Sequence, residues 1–243
     1  MRYIDKPLTS PARQLLEDQR GWMRREGLDE KYDNLGSIVN AEGQNESVKK
    51  ILNHQLRHEQ GRICCYCQQR ILQHNGDNAT GSHNEHFYPE DTNIPLQLDY
   101  ENLYACCNRS KGLEKRLQHC GEHKHNTQIN INLLRQHNCS DYFKYNVNGE
   151  ILPVGPWTST REIPATDQLT LEQQIAVEYI SVLNLNLDTL VHMRKSVIDD
   201  TLLMVGAMDK HRINTMVQNL NTNKSDYPEF VDMIIYFCKR WSL

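Results

Sequence analysis

Cysteine is the residue that most restricts how this chain can fold. There are eight, and six of them (Cys64, Cys65, Cys67, Cys106, Cys107 and Cys120) lie between residues 64 and 120. Histidine crowds the same stretch or its edges, as His74, His83, His86, His119, His123, His125 and His137. In a secreted chain eight cysteines would read as a disulfide framework; in a reducing compartment the same count reads as metal binding or redox chemistry. The opening MRYIDKPLTSPARQLLEDQ has no apolar core of the kind that directs secretion. No apolar run approaches the roughly 18 residues that a membrane helix needs. A cytoplasmic chain is therefore expected. A redox C-x-x-C is disfavoured because the cysteines do not sit in a βαβ pattern, which leaves metal binding as the expectation.

The remaining composition sets the scale. With 243 residues, 38% hydrophobic, 24% charged and a net charge of −4, the chain is globular and long enough for a core. The mild acidity argues against a polybasic binder but leaves room for a local basic groove. Four stretches are distinguishable: an N-terminal helical segment over 1–60, a Cys/His-rich module over 61–140, a hairpin and linker over 141–168, and a helical region over 169–243. Apolar Val48, Ile51, Leu52 and Leu56 fall at helical spacing before Gly61. Asn148-Gly149 between two β-prone runs signals a hairpin. Thr170-Leu171-Glu172-Gln173 predicts a capped helix to about Leu183. A long amphipathic pattern then runs from Leu187 towards Leu220, and a last helix spans Glu229–Trp241. The expected class is α+β, mostly helical.

Cys64 and Cys67 form a C-x-x-C pair, a spacing that lets two thiolates on one tight turn face a tetrahedral zinc ion. Cys107 and Cys120 are the expected second pair, with Cys65, Cys106 and His119 as alternatives. Such a module has little core of its own, so the metal would supply much of its stability. Between the pairs lies His83-Asn84-Glu85-His86-Phe87-Tyr88-Pro89, followed by Glu101-Asn102-Leu103 before Cys106, and by Lys124-His125-Asn126 after Cys120. Each piece alone is weak; their order carries the information.

In that order, residues 64–126 resemble the zinc-stapled HNH nucleases, whose active site is a ββα-metal unit. Met1-Arg2-Tyr3-Ile4, Pro11, Glu85-His86-Phe87-x-Pro89, Asn102-Leu103, Cys107-Asn108, His119-Cys120-Gly121 and Leu183-Asn184-Leu185-Asn186…Arg194 are similar to the PtuB family, the HNH subunits of the Septu and retron-associated antiphage modules. The resemblance implies a structural Zn²⁺ and a catalytic Mg²⁺. It implies that Glu85 ligates the catalytic ion, that His86 is the general base, and that Asn102 orients the His86 ring. The helix after Cys120 would supply the last ligand, with Asn126 ahead of His125 and His123, and with Asn108 and His83 also in view. In many relatives the residue after the last zinc cysteine is a ligand; here it is Gly121, which has no side chain to offer. The implied partners are a PtuA-type ABC/SMC-like ATPase, a DNA or RNA substrate and, in a retron setting, a reverse transcriptase with its RNA–DNA product. Arg109, Lys111, Lys115, Arg116 and Lys124 outnumber Glu114 and Glu122 beside the site and suggest a phosphate-facing patch. The rival reading is a non-catalytic zinc module that binds nucleic acid or a protein. The apolar stripes of the C-terminal helices read as core, with the region from about Leu187 onward expected to help dock the ATPase.

Overall fold

The computed structural model describes residues 1–72, 81–222 and 225–241; His74 lies outside them. The chain is α+β, about half helical, with three small two-stranded antiparallel sheets among the described residues. The first helix, α1 (Pro11–Glu26), begins where the Ser10 hydroxyl accepts the Ala12 N–H and Pro11 supplies a first turn that needs no donor. It ends at Gly27, which adopts φ 68°. Its inner face buries Ala12, Leu16, Gln19 and Met23. A short hairpin, β1 (Ser37–Val39) with β2 (Asn45–Ser47), leads into α2 (Val48–Glu59), whose Val48, Leu52 and Leu56 are fully buried as their helical spacing requires.

The central hairpin pairs β3 (Ser82–His86) with β4 (Leu103–Cys107), with His83 opposite Cys106, Glu85 opposite Tyr104 and His86 opposite Leu103. Strand alternation sends His83 and Glu85 to one face, and Asn84 and His86 to the other. The contacts agree. Asn84 bonds Asn53 of α2 and the Tyr32 hydroxyl, and the His86 ring meets the Tyr32 ring edge-on at 4.7 Å. On the opposite face Glu85 meets Lys124 at the end of α3 (Cys120–Lys124). The hairpin is therefore held between α2 and α3.

The third hairpin, β5 (Phe143–Tyr145) with β6 (Ile151–Pro153), turns at the expected Asn148-Gly149. There Asn146 Oδ1 accepts the N–H groups of Asn148 and Glu150. The helix α4 (Leu171–Val182) carries the expected capping box between Thr170 and Gln173. The long pattern that follows is two helices rather than one, α5 (Asp188–Gly206) and α6 (Lys210–Thr222). The division has a local cause: Asp209 Oδ1 accepts the Arg212 N–H and starts a new helix. The last helix, α7 (Val231–Trp241), starts two residues after the expected position. One buried cluster runs from Met1 through the cysteines to Phe237. Of the large aromatic residues in the region expected to help dock the ATPase, Tyr227, Phe230 and Phe237 are buried within the chain, whereas Trp241 is 53% exposed. No helix of the described residues is long and apolar enough to cross a membrane.

Candidate metal centre and the adjoining carboxylate

Residues 63–70 form a tight knuckle. The Cys64 N–H donates to the Gln69 carbonyl at 2.9 Å, the Gln68 N–H to the Cys64 carbonyl at 3.1 Å, and Gln68 takes φ 64° to close the turn. The knuckle turns Cys64 and Cys67 inward, where the end of β4 brings Cys107 and the start of α3 brings Cys120. The four sulfurs are buried and lie within 4.8 Å of one another. Cys67–Cys107 and Cys64–Cys120 are 3.7 and 3.9 Å apart. A tetrahedral ion with Zn–S bonds of about 2.3 Å separates its sulfurs by about 3.8 Å, so this set fits zinc without rearrangement. Without a cation four thiols this close cannot all ionise. Thiol–thiol hydrogen bonds from Cys106 and Cys120 hold Cys107 well below its ordinary range, while burial drives Cys67, Cys106 and Cys120 well above it. The alternatives fall around this set. Cys106 lies 3.8 Å from Cys64 and accepts the Gly121 N–H at 3.3 Å, and His119 Nδ1 is 3.1 Å from the Cys120 sulfur.

Next to the sulfurs, Glu85 is nearly buried. Its Oε1 accepts from the Tyr66 hydroxyl at 3.0 Å and lies 3.1 Å from the Lys124 ammonium; its Oε2 is 3.2 Å from His83 Nε2. Burial alone would raise this carboxyl, but Lys124 first and His83 second outweigh it and bring Glu85 down to about 2. The same pairing, aided by Asn108, overcomes the burial of His83 and lifts its imidazole to about 9. Lys124 also donates to the His86 carbonyl at 3.0 Å, tying the carboxylate to the strand end. Lys124 is thus a fully buried partner of Glu85 rather than part of a surface patch. Of the other basic residues expected there, Arg109 pairs with Glu229, Arg116 with Glu114, and Lys115 donates to the His123 carbonyl.

His86 is oriented by backbone. Its Nε2 lies 2.9 Å from the Gln97 carbonyl, which can only accept, so Nε2 carries the proton and Nδ1 the lone pair. Nδ1 is 3.5 Å from Glu90. Burial pulls the imidazole below its ordinary value, with the Gln97 bond and Glu90 opposing in part.

The amide expected to orient this ring does something else. Asn102 accepts the Tyr88 N–H at 2.7 Å and donates to the carbonyls of Tyr88 and Leu96. It fixes the loop that presents Gln97, and so acts on His86 one step removed. Asn126 is exposed and donates to Asp91 at 2.5 Å. His123 bonds the Val182 carbonyl.

The four cysteines, Glu85, His83 and Lys124 therefore converge. His86 stands on the other face at the same strand end. Tyr66 was missed by sequence reasoning, and Lys124, expected in a phosphate-facing patch, is instead the buried partner of Glu85. Tyr66 lies inside the Cys64–Cys67 C-x-x-C pair, and Lys124 lies one helical turn after Cys120, so both positions were available from spacing alone. Comparison of the chain with protein-family models and with curated proteins finds no match in either.

Proposed function

We propose that the chain is a metal-dependent endonuclease of the HNH type, hydrolysing nucleic-acid phosphodiester bonds. The observation that carries this reading is a hairpin and short helix, joined at a four-cysteine centre, that place a buried carboxylate and a tautomer-fixed imidazole on successive residues, Glu85 and His86. Successive strand residues flank the hairpin end, so a phosphodiester laid across it would meet Glu85 on one side and His86 on the other.

In this reading the Cys64, Cys67, Cys107 and Cys120 set holds zinc for structure. A divalent cation, Mg²⁺ by the resemblance, is held at Glu85; when bound it neutralises charge on the phosphate oxygens. His86 Nδ1 takes the proton of the attacking water, and the Gln97 carbonyl keeps Nε2 protonated and the ring in place. Asn102 supports that carbonyl through its loop. The resemblance extends the reading to an effector of an antiphage complex, restrained by a PtuA-type ATPase and acting on DNA or RNA. One observation favours the rival, a non-catalytic zinc module: the Lys124 ammonium already neutralises Glu85.

The deciding measurement is cleavage of plasmid DNA and of tRNA, with and without divalent cation, by wild type and His86→Ala. The nuclease reading expects cation-dependent cleavage and a loss of about 10²–10⁴-fold in the variant at unchanged zinc content. Cleavage by His86→Ala at the wild-type rate removes the imidazole from the mechanism. An absence of cleavage by wild type on either substrate, with and without the ATPase partner, favours the binding module.

A further inference from the structure

Strand alternation decides which side chains of the third hairpin face out. Phe143 and Tyr145 of β5 are buried, and Lys144 between them is turned outward. On α7, Tyr236 and Arg240 are four residues apart and share a face, with the Arg240 guanidinium 5.3 Å from the centre of the Tyr236 ring. These side chains, with Val147 at the hairpin tip and Trp157 beyond it, line a cleft of about 450 Å³. That volume falls within the roughly 300–1,000 Å³ of small-molecule sites and gives room for one nucleotide.

The cleft brings together two aromatic rings and two cations. The Trp157 indole lies against Gly155, where an added Cβ would stand 2.3 Å from the ring, so a glycine is what lets it pack down there. The Gly155 carbonyl accepts from the Lys144 ammonium, which sets that charge beside the indole. Tyr236 is held by the rings of Tyr145 and Phe237, at 5.7 and 5.3 Å. Among the described residues neither Lys144 nor Arg240 is in an ion pair. Burial first, and Arg240 second, lower the Lys144 ammonium from its ordinary value, with Glu162 opposing. Two cations near enough to repel each other make a place for an anion. The Glu162 carboxylate is engaged by its own loop, accepting from the Thr158 N–H and hydroxyl at 2.7 Å each. Val147, 56% exposed, gives the cleft an apolar edge.

We propose that this cleft binds an unpaired nucleotide of a single-stranded nucleic acid, with its base against Trp157 and its phosphate between Lys144 and Arg240. Every base has a face that stacks on an aromatic ring, and phosphate oxygens accept from both an ammonium and a guanidinium. A base inside a duplex is already covered on both faces, so the occupant is a strand with an unpaired position rather than a double helix. An acidic protein segment would satisfy the two cations but would leave the indole without a flat partner. The inference goes beyond the nuclease reading, since a non-catalytic binding module would use the same cleft, and it is tested by binding alone.

The experiment follows the fluorescence anisotropy of labelled oligothymidylate and oligouridylate as the full zinc-bound chain is added. It is run over a range of salt and with no other divalent cation, so that cleavage does not interfere. Wild type should bind the strands, and Trp157→Ala should weaken that binding by about 10-fold with the salt dependence unchanged. Gly155→Ala, which crowds the indole without touching a charge, should act in the same direction. Lys144→Gln combined with Arg240→Gln should weaken binding and flatten the plot of log K against log salt by about 0.7, the share of one phosphate contact on a single strand. Binding of a duplex of the same length should not respond to Trp157→Ala. The proposal is overturned if wild type binds neither strand, or if the strands bind Trp157→Ala and the double charge variant as tightly as wild type. A duplex that loses as much as the strands in Trp157→Ala overturns the unpaired base. Polyglutamate that binds as tightly as the strands, with the same loss in Trp157→Ala, overturns it in favour of an acidic protein partner. The double charge variant alters outward-facing side chains only, so a Trp157→Ala protein that fails to fold leaves that arm of the test standing. A chain that cleaves nucleic acid but ignores these substitutions loses the cleft and keeps the nuclease reading.

Discussion

Lys6 is an ammonium enclosed by aromatic rings. Its Nζ donates to the Leu103 carbonyl at 2.7 Å, stands 4.3 Å above the Tyr100 ring and 4.8 Å from that of Tyr104, and has Glu59 at 3.6 Å. Burial lowers it from 10.5 to about 8, although Glu59 opposes the shift. The sign follows from proton counting. Between pH 8 and 10.5 the unfolded chain keeps a proton on this residue that the folded chain has released, so stability rises with pH across that window. The full effect is about 3 kcal/mol. Urea midpoints of wild type and Lys6→Met measured over this range should therefore diverge in slope, with only wild type gaining the increment. Parallel profiles would mean that Lys6 stays charged when folded. Charge states of this kind were not legible in the sequence, where Lys6 and Lys124 look like any other lysines. The site was partly legible. Cys64, Cys67, Cys107 and Cys120 converge as their spacing suggested. The partners of Asn102 and Asn126 could not be read, because a side-chain amide bonds whichever backbone the loop brings to it.

At the scale of elements, legibility followed local chemistry. The capping box of α4 and the Asn-Gly turn between β5 and β6 were readable because short-range hydrogen bonds dictate both. The start and stop of α1 were written just as plainly, in Ser10-Pro11 and Gly27, but the polar outer face of that helix hid its periodicity. The break between α5 and α6 was overlooked because the apolar stripe continues across Asp209. Two glycines test the argument with opposite signs. Gly149 has φ 91°, and an added Cβ would collide with the Val191 carbonyl and stand 2.9 Å from the Lys195 nitrogen on α5. Gly149→Ala should cost at least about 2 kcal/mol, since both the conformation and the close approach are lost. Gly206, the last residue of α5, would place its Cβ in open space. Gly206→Ala should stabilise by about 0.5–1 kcal/mol. Thermal melting of the two variants checks both; stabilisation by Gly149→Ala would mean that the hairpin does not rest on α5.

At the scale of the whole molecule, the four-cysteine centre is the point to which distant segments are tied. The Cys120 N–H donates to the Leu183 carbonyl at 2.9 Å, and Asn184 bonds the Gln118 carbonyl, joining the metal segment to the turn after α4. Two residues on, Asn186 holds both backbone groups of Ile151, and the buried Arg194 donates to the carbonyls of Gly149 and Leu185. The Leu-Asn-Leu-Asn…Arg pattern is thus a clamp between the metal segment, the third hairpin and α5. On the other side, the knuckle residue Gln68 bonds Asp232 of α7, which also holds Arg2 at 2.8 Å and the N-terminal ammonium at 3.8 Å. Loss of the metal should therefore propagate to both ends of the chain. Cys107→Ser is expected to lose zinc and to melt the N-terminal segment and α7 together with the module, because metal binding and folding are coupled. Cys238→Ser, which alters a buried thiol outside the group, should keep about one zinc per chain and lose little stability. Cys106→Ser should also retain zinc, since Cys106 lies outside the group formed by Cys64, Cys67, Cys107 and Cys120. Zinc content with hydrogen exchange of residues near Asp232 and Leu183 separates these outcomes. Full zinc in Cys107→Ser would move the centre to the Cys64, Cys65 and Cys106 group. Zinc loss with protection intact at both distant segments would show that the clamp and the Asp232 contacts hold the molecule together without the metal.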